Sequence, residues 1–386
     1  MQEFAVPLWL RYRKIVLFGG IALLAIAGGI RLKNEYWRLL FDTTWLGAND
    51  LTTFYNAVRG WFSGENIYAQ PRSAAAYPPA TFVMLWPLLG WLDFLSARWF
   101  FALLTIPALI LLSSFFIAHS DATSRMEKAL VALIPLSANA TGVTIGNGQI
   151  TLFVLVALLY AFAQQEAGAH WMLTAILLVI ALMKPSIALA FVWLFLLLRP
   201  ALKQGIVIAG IYLLLTVFAL QFQRFEFIPV LKGWMARSAQ VALEGGPSAY
   251  GNLHTWLSTA GLDAWILPAS LVAFLGLGAW IFRHRDADVW ILAAVTGIFA
   301  RLWTYHRIYD DLLILLPMIA LFRIAKKDSN FTAGLLLALS VILNLARLNN
   351  ISPLRYQILT TLHVVLWVAL FLFFHYSARK GAYNNR

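Results

Sequence analysis

The stretch GANDLTTFYNAVRG, residues 47–60, lies between two strongly apolar regions of the chain. Its apolar residues recur at the spacing of one helix face, which predicts an amphipathic helix. We expect Asn49 or Asp50 to cap the start of this helix, because short polar side chains accept hydrogen bonds from its free backbone N–H groups. Such a helix would lie flat on a bilayer with its N-terminal carboxylate at the water boundary. This placement makes Asp50 the candidate catalytic group, and a plain helix cap is the alternative.

The composition is that of a membrane protein. The 386 residues are 61% hydrophobic and only 12% charged, which is more apolar surface than a soluble chain can bury. The apolar runs are continuous, which favours helices over alternating strands. No cysteine is present, so disulfides and thiolate metal sites are excluded. The net charge of +12 fits loop ends that face anionic lipid, and no motif indicates binding to nucleic acid.

The distribution of Lys and Arg predicts how the chain threads through the membrane. Basic residues precede the first apolar run, so we expect the N-terminus inside and residue 31 outside. The sequence predicts an all-α, polytopic fold of about twelve transmembrane helices, in a single integral-membrane domain over residues 1–386. The predicted spans cover residues 15–30, 95–118, 129–146, 149–165, 170–183, 186–199, 204–221, 263–282, 287–304, 310–323, 331–345 and 357–376. Both termini are then cytoplasmic.

Two outer connectors follow from this threading. The first, residues 31–93, is expected to carry amphipathic juxtamembrane helices and a short apolar segment that crosses or re-enters the membrane. The second covers residues 222–262 and includes a turn signal at Gly245-Gly246-Pro247.

The unusual polar groups all fall on the outer side in this topology. Charged side chains at membrane depth cost about 2.5–3.5 kcal/mol on insertion scales, so those that are retained usually have a partner or a function. Lys184 can hold a phosphate or can be a Lys that reaches the interface from a span end. Asn147 and Gln149 offer amides suited to sugar hydroxyls, and a polar turn is the alternative.

A further polar group occupies the connector after residue 300. It combines Arg301, His306, Arg307 and Asp310, which can stabilise a phosphate leaving group beside a sugar, or can form a solvated loop with an Arg–Asp pair. As a metal site it is poor, because no second His stands at ligand spacing. We therefore expect no metal and no cofactor.

Taken together, these stretches resemble the membrane glycosyltransferases of the GT-C superfold, and in particular glycosyltransferase family 87. The motifs that carry the resemblance are, in chain order, the Asp50 helix, Tyr77-Pro78-Pro79, Gly148-Gln149, Lys184-Pro185 and Tyr309-Asp310 followed by an apolar run to Pro317. The sequence departs from the family pattern at Thr151 and Ser186, where an asparagine and a glutamine are common.

The resemblance implies an inverting transferase that moves mannose or another monosaccharide from a polyprenyl-phosphate donor to a lipid-linked or polysaccharide acceptor. Asp50 matches the catalytic base. The donor phosphate is expected at Lys184, His306, Arg301 and Arg307. The sugar and acceptor are expected at Tyr55, Tyr77, Asn147, Gln149, Tyr305 and Asp310. The expected partners are these substrates and membrane lipids, and the expected location is a bacterial inner membrane with an outward-facing site.

Two other classes of protein are compatible with the composition. A transporter or flippase of polar or glycosylated lipids would also gather charges in a membrane cavity, but no internal repeat is visible. A purely structural membrane subunit would leave the one-sided polar cluster unexplained.

Overall fold

The computed structural model describes residues 5–44, 46–70, 76–168, 170–198, 202–224, 226–243, 251–327, 329–346 and 352–384. Within these ranges the chain is helical and contains no strand. The first nine helices are α1 Ala5–Phe41, α2 Asn49–Phe62, α3 Pro79–Leu89, α4 Phe94–His119, α5 Arg125–Ser137, α6 Asn139–Asn147, α7 Thr151–Glu166, α8 Trp171–Ala181 and α9 Pro185–Leu197. The others are α10 Leu202–Gln221, α11 Phe227–Leu243, α12 Leu253–Thr259, α13 Ile266–Arg283, α14 Val289–Trp303, α15 Leu315–Lys327, α16 Phe331–Leu345 and α17 Pro353–Asn384.

Long apolar helices confirm an all-α, polytopic membrane protein. Among the described residues, five helices are long and apolar enough to cross a membrane, namely α1, α4, α10, α13 and α17. The pair α5 and α6 can form a sixth span that bends by 46°. Six further apolar helices have at most 16 residues, and at 1.5 Å per residue they fall short of a hydrocarbon core of about 30 Å. The predicted number of about twelve spans is therefore not confirmed by helix length.

The first outer connector is shorter than predicted, because α1 continues to Phe41. Side chains on the added turns bind other helices: Arg31 donates to the carbonyl of Leu345 at 2.8 Å, and Tyr36 bonds Thr105 at 2.7 Å. These contacts stabilise the helical extension beyond the apolar run. The second connector is also largely helical, since it contains α11 and α12. Its turn signal at residues 245–247 lies outside the described residues.

The amphipathic character of α2 is confirmed, and its buried face anchors it. Trp61 is fully buried, donates to the carbonyl of Ala219 at 2.9 Å and stacks on Phe82 with ring centroids 5.1 Å apart. Residues of the opposite face, such as Asn56 and Arg59, are exposed. A fully buried large side chain contributes about 1.5–3 kcal/mol, so this face fixes α2 against α3 and α10.

The predicted cap of α2 is wrong. Ala48 occupies the cap position with φ 51°, and no side chain caps the helix. Instead the N–H of Ala48 donates to the carbonyl of Gly146 at 3.1 Å, so the end of α6 takes the place of a capping side chain. Gly148 adopts φ +69° and lies so close to α2 that a Cβ would come 2.4 Å from Cβ of Leu51. The start of α2 is thus fixed to the end of α6, and the carboxylate of Asp50 is available for other contacts.

Candidate active site

Breaks between helices bring the predicted polar groups together. Asp50 lies in the first turn of α2, Asn147 ends α6, and Lys184 precedes α9. The connector between α14 and α15 supplies residues 304–314, of which Ile308–Ile314 form a 3₁₀-helix. Asp50 interacts electrostatically with Arg307, Lys184 and Asp310, so these groups share one site. Polar side chains separated by up to 260 residues therefore meet.

Asp50 makes one side-chain hydrogen bond. Its Oδ2 accepts from Nδ2 of Asn147 at 2.9 Å, whereas Oδ1 accepts from no described residue. The residue is partly exposed, so the unbonded oxygen can be reached by a substrate hydroxyl. Burial raises the pKa of Asp50 above its ordinary value, and Asn147 and Arg307 oppose this shift by favouring the ionised form. A carboxylate with a raised pKa and a free oxygen can accept a proton.

Asp310 is the opposite case, because four donors surround it. Lys184 pairs with Oδ1, and Thr151 donates to the same oxygen at 3.1 Å. Oδ2 accepts from Nδ1 of His306 at 2.9 Å and from the backbone N–H of Arg307 at 3.3 Å. Asp310 is only 2% exposed. Its buried carboxylate links the start of α7, the residue before α9 and the connector between α14 and α15.

Lys184 and His306, predicted to bind the donor phosphate, are both engaged with Asp310. Lys184 also donates to Thr151 at 2.8 Å and lies 4.5 Å from the ring centre of Tyr309. His306 is fully buried, and its Nε2 lies 3.3 Å from the hydroxyl of Thr304. Burial lowers the pKa of His306, and the carboxylate of Asp310 opposes this shift. Because a carboxylate can only accept, Nδ1 is the ring atom that donates to Asp310.

Arg307 is the cation of this site that remains available to a ligand. Its Nε donates to the hydroxyl of Tyr305, and among the described residues no carboxylate pairs with it at ion-pair distance. It is also partly exposed, unlike Lys184. A guanidinium with free N–H groups suits bidentate binding of a phosphate.

Other predicted residues occupy different surroundings. Arg301 is buried, pairs with Asp311 at 2.5 Å and lies 4.7 Å from the ring centre of Trp367. The hydroxyl of Tyr55 donates to the carbonyl of Leu92 at 3.0 Å, on the side of α2 that faces α4. Tyr77 lies near Asp50, and its hydroxyl is 3.4 Å from Oε1 of Gln149.

Several residues of the site escaped sequence reasoning. Tyr309 and Thr151 contact Lys184, yet they were noted only for their places in motifs. Arg38 bonds Asn147 at 2.8 Å from a helix segment that was predicted to be loop. His254, remote in sequence, lies near His306; burial, with a smaller contribution from His306, lowers its pKa to about 4. Such pairings follow from tertiary contacts that no local pattern indicates.

No group of three His, Asp or Glu residues that could hold a metal ion occurs in the part of the chain that the structure describes. Metal independence remains a prediction.

An apolar groove is lined by residues that adjoin polar-site residues in the chain. Its volume is about 630 Å³, and it runs between α8, α9, α10 and α11. Pro78 and Pro185 line it, and each is the chain neighbour of a polar-site residue, Tyr77 and Lys184 respectively. Most other lining residues are Leu, Ile, Val and Phe. At two places the groove wall is therefore one residue along the chain from the polar site.

Comparison with known proteins identifies the family. The sequence profile of glycosyltransferase family 87 matches residues 75–305, more than half of the chain. The matched region contains Tyr77, Asn147, Gln149 and Lys184, whereas Asp50 and Asp310 lie outside it. No curated protein and no solved structure matches the chain. With its membrane-spanning helices and this profile match, the chain belongs to glycosyltransferase family 87 and is a membrane glycosyltransferase.

Proposed function

We propose that the protein transfers a monosaccharide from a polyprenyl-phosphate donor to a lipid-linked or polysaccharide acceptor, with inversion and with Asp50 as general base. The observation that carries the proposal is an apolar groove whose lining residues Pro78 and Pro185 directly adjoin Tyr77 and Lys184 of the polar site in the chain. A polyprenyl-phosphate sugar has the same two parts, a charged sugar-phosphate head and a long apolar chain. A water-soluble nucleotide donor would leave such a groove unused.

The groove suits the isoprenoid chain. Its walls come from α8, α9, α10 and α11, and they include Leu182, Ile208 and Leu213. Leu213 is also 60% exposed, so the groove wall is continuous with the lipid-facing surface. We propose that a chain lying there places its phosphate at the end lined by Pro78 and Pro185, because these residues directly adjoin Tyr77 and Lys184 in the chain.

Arg307 is the proposed phosphate ligand. Lys184 lies behind it and is paired with Asp310, so the net charge of that buried pair stays near zero. His306 holds Asp310 and does not reach the ligand in this arrangement. The phosphate leaves with the electron pair of the broken bond, so a fixed guanidinium stabilises the transition state more than the ground state.

Asp50 is proposed to act on the opposite face of the sugar. The acceptor hydroxyl gives its proton to Oδ1 of Asp50 while its oxygen bonds to the anomeric carbon. The bond from that carbon to the phosphate oxygen breaks, and polyprenyl phosphate departs. Attack opposite the leaving group inverts the anomeric configuration. The sugar is proposed to be mannose or a related monosaccharide, held by Gln149 and by Tyr77 and Tyr305, which lie near Asp50.

The direct test uses purified protein in lipid nanodiscs. Polyprenyl-phosphate mannose and other polyprenyl-phosphate sugars, and separately nucleotide sugars, are offered with extracted glycolipid acceptors. We expect release of polyprenyl phosphate and a product of inverted configuration only with the lipid donors. Transfer from nucleotide sugars alone would contradict the proposal, as would movement of the lipid donor between leaflets without sugar transfer, which is the behaviour of a flippase.

The orientation of the site is proposed to be outward, in a bacterial inner membrane. Because the chain lacks cysteine, a single introduced cysteine reports on which side of the membrane its position lies. Asn66→Cys should react with a membrane-impermeant thiol reagent in intact cells, and Arg125→Cys should react only after lysis; both positions are exposed. The reverse labelling pattern would place the site in the cytoplasm.

A further inference from the structure

A chain of polar contacts leads from α1 to the proposed base. Glu35 forms an ion pair with Arg38 at 2.8 Å, and Nη2 of Arg38 donates to Oδ1 of Asn147 at 2.8 Å. Nδ2 of Asn147 then donates to Oδ2 of Asp50 at 2.9 Å. Neither Glu35 nor Arg38 stands in any sequence motif of the site. Both lie on the part of α1 that extends beyond its apolar run.

The order of donors in this chain fixes the orientation of the Asn147 amide. A guanidinium can only donate, so the atom that faces Arg38 must be the amide oxygen. The amide nitrogen therefore faces Asp50 and must donate to it. A free asparagine could turn its amide over and present a second acceptor to the carboxylate. With Arg38 in place, that arrangement would lose the hydrogen bond to Arg38 and would set two acceptors against each other.

The backbone supports the same geometry. Gly146 precedes Asn147, and a Cβ at this glycine would lie 2.1 Å from Oε2 of Glu35 and 2.4 Å from Nε of Arg38. The carbonyl of Gly146 accepts from the N–H of Ala48, two residues before Asp50. The glycine thus permits α1 to approach α6 closely, and its carbonyl fixes the start of α2. Asn147 and Asp50 are held by helices as well as by their own hydrogen bond.

We propose, on the basis of the function proposed above, that Asn147 is the positioning residue of the base and that the Glu35–Arg38 pair locks its amide. One carboxylate oxygen of Asp50 is thereby held, and the other is presented to the acceptor hydroxyl. This role replaces the expected contact of Asn147 with the sugar. The lock acts through α1, so a residue outside the polar site helps to set the activity of the base.

The pH dependence of transfer reports on this arrangement, because the hydrogen bond from Asn147 favours the ionised form of Asp50. Other charged or titratable groups also surround Asp50. They are Tyr77 before α3, Lys184 before α9, Tyr305 and Arg307 in the connector, and Tyr309 and Asp310 in the 3₁₀-helix. These groups are unchanged in Asn147→Leu, so a shift of the acidic limb in that variant can be assigned to the lost hydrogen bond.

The experiment compares pH–rate profiles of sugar transfer in full-length protein. Asn147→Leu removes the donor, and we expect the acidic limb to move about one to two pH units upward, since hydrogen bonds to charged groups are worth that much. Arg38→Gln frees the amide and should move the limb in the same direction by a smaller amount. The donor KM should change little in both variants.

Arg31→Gln is the matched control. Arg31 lies on the same helix; its Nη2 donates to the carbonyl of Leu345 at 2.8 Å and its Nη1 donates to the carbonyl of Ser137, and neither bond involves Asn147 or Asp50. This variant should lose stability comparable to that of Arg38→Gln and should keep the wild-type limb. The proposal is contradicted if the acidic limb of the pH–rate profile is unchanged in both Asn147→Leu and Arg38→Gln. It is also contradicted if this limb moves by the same amount in Arg31→Gln.

The outcomes separate this inference from the proposed function. If wild-type protein does not transfer sugar from a polyprenyl phosphate, the function itself fails. If it does and Asp50→Asn is inactive, but the limbs do not move, only the lock fails. If Asn147→Leu does not fold, Glu35→Gln replaces it. This variant weakens the ion pair that holds Arg38, and we expect a small upward shift of the acidic limb of the pH–rate profile. An unchanged acidic limb in both Glu35→Gln and Arg38→Gln would again contradict the proposed role of the Glu35–Arg38 pair.

Discussion

Asp50 and Asp310 lie in one site but have opposite surroundings. Asp310 accepts from Lys184, Thr151, His306 and a backbone N–H, and it is 2% exposed. Among the described residues, Asp50 accepts a side-chain hydrogen bond from Asn147 alone, and it is partly exposed. A carboxylate whose acceptor positions are filled holds a structure together, whereas one with a free oxygen can take part in a reaction. The number of donors therefore distinguishes the proposed base from the structural acid.

The pKa values of Asp50 and Asp310 are shifted in opposite directions. Burial raises the pKa of Asp50. Burial acts on Asp310 in the same direction, but the positive charge of Lys184 and the contacts of His306 outweigh it and lower the pKa of Asp310. The pKa of Asp310 is thus held below the ordinary aspartate value, whereas that of Asp50 lies above it.

The largest expected effect is that of Asp50→Asn on the transfer rate. Asparagine keeps the size of the side chain and removes the proton acceptor, so we expect turnover to fall by about 10²–10⁴-fold. The melting temperature should stay near that of the wild type. Rates of sugar transfer and thermal unfolding in nanodiscs check both statements.

Asp42→Asn is the control for this variant. Asp42 is another carboxylate of the first outer connector, bonded to the N–H of Thr44 at 2.9 Å. We expect nearly unchanged transfer from it. Equal losses in the two variants would mean that the connector, and not the base, had been perturbed.

Asp310→Asn should act mainly on stability. It leaves the buried ammonium of Lys184 without its counter-ion, and breaking a buried pair in this way costs about 3–5 kcal/mol of unfolding free energy. The fall should be visible in thermal or denaturant unfolding. The exposed pair of Asp121 with Arg323, at 2.9 Å, gives the comparison: Asp121→Asn should cost less than about 1 kcal/mol. Similar stability of the two variants would contradict the structural role of Asp310.

Arg307→Gln should weaken the donor half of the reaction. A charge-assisted contact with phosphate is worth about 1.5–3 kcal/mol, so kcat/KM for the lipid donor should fall about ten- to a hundred-fold. Arg59→Gln, at an exposed position of α2, should leave the transfer rate unchanged. An unaltered kcat/KM in Arg307→Gln would remove Arg307 from the phosphate site.

The smallest effect concerns the pH profile of the wild type. The base works only when ionised, so activity should fall as the pH drops through the raised pKa of Asp50, above the ordinary aspartate value of about 3.9. The stability contributed by Asp310, whose pKa is lowered, is complete above that value and is lost only at lower pH. Activity should therefore disappear at a higher pH than structure does. Loss of activity and of folded structure in one step below about pH 4 would contradict the difference proposed between Asp50 and Asp310.

Periodicity and charge placement allowed part of this site to be predicted. The amphipathic α2 follows from its spacing, and the common side of Asp50, Asn147 and Lys184 follows from the distribution of basic residues. Local pattern also indicated the polar connector after α14. These features depend on neighbours in sequence.

The remaining features depend on distant contacts. The cap of α2 is a carbonyl from α6, and Lys184 meets Asp310 across 126 residues. The bend between α5 and α6 lies at Ala138, whose backbone is extended. There the hydroxyl of Thr141 donates to the carbonyl of Pro135 at 2.5 Å. Each of these is set by packing, which no local propensity encodes.

The most direct test of the contrast is the affinity of Asp50→Asn for the lipid donor, measured beside its single-turnover transfer rate. If Asp50 acts on the acceptor hydroxyl, the Kd for the polyprenyl-phosphate sugar should stay within about threefold of the wild type while the rate falls at least about a hundredfold. A Kd that weakens by the same factor as the rate, or a rate near that of the wild type, would contradict the assignment of Asp50 as the general base.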